Sequence, residues 1–158
     1  MLRIASIAAS VLAAFIIAGT VMACSGQTQP AQTAGATSAP KPMYSVLANG
    51  KSIFDTGRDF NGAQIQAQMK PLATSCEACH RADGSGGKKF ADGAVSADLR
   101  HKALVLQQTH PYTIALLERA ISTGIDDEGK PLDKVMPHWK MSKRDLHDVA
   151  QYVMRELK

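Results

Sequence analysis

The chain is poor in several things, and each shortage excludes something. Aromatic residues make up 5% of its 158 positions, with a single tryptophan. Large aromatic side chains dominate the burial energetics of most cores, so something else must fill part of this one. There are three cysteines, Cys24, Cys76 and Cys79, and only two of them are close together. A structural zinc site commonly draws four ligands from two such pairs, and there is no second pair to supply them. No internal repeat is visible and no segment reads as a convincing strand, so the βαβ setting of a thioredoxin-like C-x-x-C is missing. Charge of one sign is scarce too. The formal excess is +4 and evenly spread, too little to argue for a nucleic-acid partner.

What is present falls into three parts. Residues 1–23, "MLRIASIAASVLAAFIIAGTVMA", carry Arg3 and then only apolar or small residues. This is the pattern of an export signal. Cys24 follows, and residues 25–42 are almost entirely Ser, Gln, Thr, Ala, Gly, Lys and Pro. Such a composition buries too little apolar surface to offset ordering, so residues 24–42 read as an anchored flexible linker. The folded domain is residues 43–158. "VMAC" resembles a lipoprotein cleavage site, at which Cys24 becomes the acylated N-terminus. Cleavage after Ala23 by a general signal peptidase is a second reading, and a retained transmembrane helix is a third. Counting cysteines favours lipidation, because Cys24 is otherwise an unpaired thiol in an oxidising compartment. The lipid and the retained helix both tether the domain to a membrane, on its non-cytoplasmic side. Losing residues 1–23 removes Arg3 and no acid, leaving an excess of +3.

The chemistry is concentrated in "SCEACHRADGSGG", residues 75–87. On a helical turn, Cys79 stands about 60° to one side of Cys76 and His80 about 40° to the other. Two thiols and an imidazole then share one face. That arrangement suits a porphyrin, with one thioether to each of two vinyl groups and the imidazole on the iron. C-x-x-C-H is the attachment signature of haem c. A disulfide between Cys76 and Cys79 leaves His80 without a role. The sequence therefore predicts one covalent haem c, held by Cys76 and Cys79, with His80 as proximal ligand.

A sixth iron ligand is sought in "DKVMPHWKMS", residues 133–142. Met136 precedes Pro137, and a residue before proline is pushed out of the helical region into extended backbone. Met with His is a common haem pair, which makes Met136 the distal candidate. His138 competes with it, and His101 and His110 compete more weakly. Met69, Met141 and Met154 read as core filler or surface.

The remainder reads as helix. Residues 45–56 place Val46, Leu47, Gly50, Ile53 and Phe54 near one face and stop at Gly57. Gly50 costs helix stability and marks a close backbone approach. In residues 110–124, Pro111 suits a first turn and Gly124 a C-terminal cap, with Ile114, Leu117 and Ile121 as the buried stripe. The last helix opens on a capping box, Ser142 to Asp145. It repeats Leu146, Val149, Ala150, Val153 and Leu157 at helical spacing. Glycines 84, 86 and 87 suit backbone running close to the porphyrin.

Taken together, "NGKSIF", "CEACH" with its glycine turn, "ADLR" (with Ala97 where proline is usual) and the methionine–proline loop before the last helix resemble the class I cytochrome c domain. The resemblance spans residues 43–158. It implies an all-α fold wrapped round one haem, with Gly50 and Phe54 packed across Tyr152 and Val153. It also implies His80 and Met136 as iron ligands, and Arg100 or His101 as candidate contacts for a haem propionate. An iron capped by His and Met leaves no position for a small-molecule substrate. The expected function is therefore electron transfer between redox proteins, without enzymatic activity, at the periplasmic side of a bacterial membrane. The other reading is a haem c peroxidase or gas sensor with a labile distal Met. Lys88, Lys89, Lys140, Lys143 and Arg144 flank the haem-binding segments and read either as solvated loop charges or as a ring that steers acidic partners. Residues 57–75 exceed what the smallest members have, and nothing in the sequence assigns them a role.

Overall fold

A computed structural model describes residues 44–68 and 70–158. The export signal, Cys24 and the linker to residue 42 lie outside the described residues, as does Met69. Helix α1 is Val46–Thr56, α2 is the short Glu77–His80, α3 is Ile114–Thr123 and α4 is Lys143–Glu156. A single π-helical turn, Lys102–Leu106, closes with the Gln107 N–H on the Lys102 carbonyl. Among the described residues, no helix is long and apolar enough to cross a membrane.

Local signals set the helix ends. Ser45, Thr113 and Ser142 cap α1, α3 and α4 by accepting backbone N–H groups three residues on. Gly57 ends α1, and Gly124 ends α3 at φ 68°, a left-handed value that suits glycine. One expected boundary moves. Helix α3 begins at Ile114, so Pro111 stands in the preceding loop and not in the first turn. The Thr113 hydroxyl, which accepts the Leu116 N–H, supplies the stronger start signal.

The core forms where α1 crosses α4, and α3 also packs against α4. A Cβ on Gly50 would lie 2.1 Å from the Asp148 carbonyl oxygen and 2.7 Å from the Tyr152 Cβ. The two helix backbones approach closely there, as expected. Phe54 meets Tyr152 with ring centroids 5.5 Å apart. Val46, expected on the buried face, is 41% exposed, and Asn49 is fully buried instead.

Asn49 explains the exchange. Its amide nitrogen donates to Asp145 Oδ1 at 2.9 Å and to Asp148 Oδ2 at 2.7 Å, while its own oxygen accepts the Phe60 N–H at 2.5 Å. The Tyr44 hydroxyl donates to the same Asp148 oxygen. One buried amide thus serves two buried carboxylates and fixes the chain leaving α1. Desolvation pushes the Asp145 carboxyl up, but bonds from Ser142, Asn49 and Arg144 outweigh it and hold its pKa below the ordinary value. Asn49→Ala is expected to lower stability by about 3 kcal/mol in urea unfolding, since hydrogen bonds to charged groups are lost in a buried site. A depressed carboxyl contributes stability above its unfolded pKa and loses it as pH falls through the folded value. The gap between parent and Asn49→Ala should therefore narrow in acid.

The expectation of no strand needs a small correction. Strand β1, Gln66–Ala67, pairs antiparallel with β2, Trp139–Lys140. Two residues on each side are too short for the alternation of a strand to show in sequence.

Candidate functional site

The cysteine motif folds as the single helical turn its spacing requires. Cys76 precedes α2 with helical backbone angles, and the Cys79 and His80 N–H groups both donate to its carbonyl, at 3.1 and 2.9 Å. Both thiols are free, with no disulfide between them. Desolvation pushes the Cys76 thiol up to about 12, the reverse of the depressed value a nucleophilic or redox cysteine needs. His80 is buried, and its Nδ1 lies 2.8 Å from the Ala97 carbonyl. That bond places the ring proton on Nδ1 and leaves the Nε2 lone pair for a metal. Burial lowers the His80 pKa and the Ala97 carbonyl only partly offsets it, so the ring is neutral, as a ligand must be.

Cys76, Cys79 and His80 line a cavity of about 300 Å³. Its other walls come from α1 (Phe54), α3 (Leu117, Ala120, Ile121), α4 (Val149, Val153) and the π-helical turn (Leu104). Met136, Pro137 and Trp139 line it from the loop before α4. Asp133 shapes that loop, its carboxylate accepting the Val135 N–H at 3.0 Å and its carbonyl the Met136 N–H at 2.9 Å. His138 is not on the cavity wall. Its ring packs on Gly124, where an added Cβ would sit 2.1 Å from Nε2. The residue types match the group that the motif implies: two thiols, an imidazole with its far nitrogen bonded, a thioether, and largely aliphatic walls. The cavity also occupies the place that a core this poor in aromatics leaves unfilled.

A family model described as Cytochrome c matches residues 47–156. The chain belongs to the cytochrome c family. No curated protein and no solved structure matches it. The fold is accordingly a mostly helical cytochrome c domain that carries one covalent haem c, and its family function is haem-based electron transfer.

Other candidates in this cytochrome c domain are placed differently from the expectation. Arg100 does not line the cavity; its guanidinium forks onto Asp98, with Nε 3.0 Å and Nη2 2.5 Å from the carboxylate, and it is Asp98 that stands on the wall. His101 and His110 are exposed and off the wall. Glycines 84, 86 and 87 are off the wall as well. Gly84 lies under Leu157, and a Cβ on Gly86 would meet the Ala97 carbonyl oxygen at 2.2 Å. The close approach that demands glycine is to protein. It brings the turn against the segment that bonds His80.

Of the five flanking basic residues, two are engaged internally. Lys88 donates to the Ala78 carbonyl, and Arg144 bonds Asp145 and covers the Tyr44 ring. Sequence reasoning also missed the Ala97 carbonyl as the partner of His80, because a backbone acceptor has no signature in residue type.

Proposed function

We propose that the protein is a monohaem electron carrier tethered at its N-terminus to a bacterial membrane. In this reading the lipid on Cys24, or alternatively a retained N-terminal helix, holds the domain on the periplasmic side of a bacterial membrane. The observation that supports the carrier reading most directly is that Met136 lines the same cavity as Cys76, Cys79 and His80. Haem c bound there supplies a one-electron Fe(III)/Fe(II) couple.

The residues do the rest. Cys76 and Cys79 hold the group through thioethers. His80, oriented by Ala97, gives Nε2 to the iron, and Met136 gives its thioether, which favours the reduced state. The aliphatic walls keep water away. A site closed by two protein ligands has no position for a substrate, which argues against enzymatic turnover. Partners reach the site where Leu72 and Val95 form part of the cavity wall while 69% and 55% exposed. Redox proteins are the partners in this reading. The tether raises their effective concentration, and residues 25–42 supply reach.

The purified protein should show one haem that stays with the chain in acidified acetone, and mass spectrometry should find the acyl chains on Cys24. Ferrous protein should refuse carbon monoxide at neutral pH. Rapid carbon monoxide uptake by the unaltered chain would point to the peroxidase or gas-sensor reading instead.

A further inference from the structure

The structure assigns a role to part of the long segment between α1 and the cysteine motif. We propose that Gln64–Gln68 is a strap that holds the Met136 loop on the cavity, with Gln68 as its positioning residue. The inference rests on the reading of Met136 as iron ligand.

The strap is anchored at one end. The Ile65 N–H donates to the Gly57 carbonyl at 2.8 Å, and the Ile65 side chain is buried. The Gln64 amide donates to the Gly57 carbonyl at 2.7 Å and to the Thr74 carbonyl at 3.1 Å. Thr74 is two residues before Cys76, so the anchor reaches both the end of α1 and the entry to the haem motif.

The other end grips the loop. Gln66 pairs with Lys140 and Ala67 with Trp139. The Gln68 N–H donates to the His138 carbonyl at 2.8 Å, two residues after Met136. The Gln68 side-chain amide also reaches the Ser122 carbonyl in the last turn of α3, at 3.3 Å. His138 is thus held at its carbonyl by the strap, while its ring rests on Gly124 at the end of α3.

Met136 itself has one backbone bond to the same local turn, to Asp133. No helix carries it. A loop of this kind opens at the cost of the bonds that tie it down, and the strap supplies those bonds. An external iron ligand binds only the open fraction, so its apparent affinity rises in proportion as the loop is loosened.

The test is titration of the haem-loaded ferric protein with imidazole, followed by the visible spectrum. Gln68→Pro removes the backbone donor and the side-chain bond together, and should tighten apparent imidazole binding by about tenfold or more, since one backbone bond alone is worth up to about that factor. Gln68→Ala keeps the backbone bond and should give a smaller change of the same sign. Ala48→Gly weakens α1 at an exposed position far in sequence from the strap and should leave imidazole affinity unchanged.

If Gln68→Pro loads no haem, Gln68→Ala decides. A closed parent spectrum with both variants binding imidazole as the parent does would overturn the strap and leave the Met136 assignment standing. Equal tightening by Ala48→Gly would overturn it too, since the effect would then be general destabilisation. A parent that is already high-spin and open would overturn the Met136 reading, and the strap with it.

Discussion

Gly50→Val is expected to abolish accumulation of haem-loaded protein. Any side chain at position 50 starts with a Cβ only 2.1 Å from the Asp148 carbonyl oxygen and 2.8 Å from its carbonyl carbon. Both are backbone atoms of α4, so no rotamer change can relieve the overlap and the helices must separate. Overpacking a core typically costs about 1–3 kcal/mol, and a backbone collision that a side chain cannot dodge belongs at or above the top of that range. The separation would also pull Phe54 from Tyr152 and strain the Asn49 bonds to Asp145 and Asp148. With typical domains stable by about 5–15 kcal/mol in total, little folded protein should remain. Haem staining and the visible absorbance per milligram of exported chain measure this directly. Gly50→Ala should fall between. A valine variant that loads haem normally and melts with the parent would show that the crossing is looser than the structure has it.

Met136→Ala should change the ligand field without unfolding the domain. Met136 is only half-buried and lies in a loop, so its loss removes a ligand and little core. The weak near-red band of ferric sulfur ligation should vanish, and ferrous protein should pass from refusing carbon monoxide to binding it stoichiometrically. The reduction potential should fall, because the thioether that favours Fe(II) is gone. His138 offers no ready replacement, as its ring is packed on Gly124 and off the cavity wall. A variant that keeps the parent spectrum would remove Met136 from the iron and return the question to the histidines.

What the sequence made legible follows from how local each signal is. The cysteine motif needs only one turn of helix, so its spacing carried both the geometry and the cofactor. Helix ends at Gly57, Gly124 and Ser142 were readable for the same reason. Gly50 was readable because glycine inside a helix is costly and invites an explanation. Asn49 was not, since its worth lies in two carboxylates 96 and 99 residues away. Asp145 was read as a cap and Asp148 not at all, because nothing in a single chain distinguishes a buried acid from a solvated one. The strap escaped for a related reason. Its grip on the Met136 loop is made by backbone groups and by short pairings whose side chains show no pattern. Arg100 was placed by its neighbours in sequence, and Asp98, two residues away, takes up its guanidinium.

The crossing of α1 and α4 joins the beginning of the domain to its end, and this sets a timetable. Residues 46–56 lack their principal partner until residues 143–156 have been made. Docking that depends on such distant segments is slow, and the cavity wall that Phe54, Val149 and Val153 share is complete only once it has happened. The last helix is thus the piece that shuts the chamber.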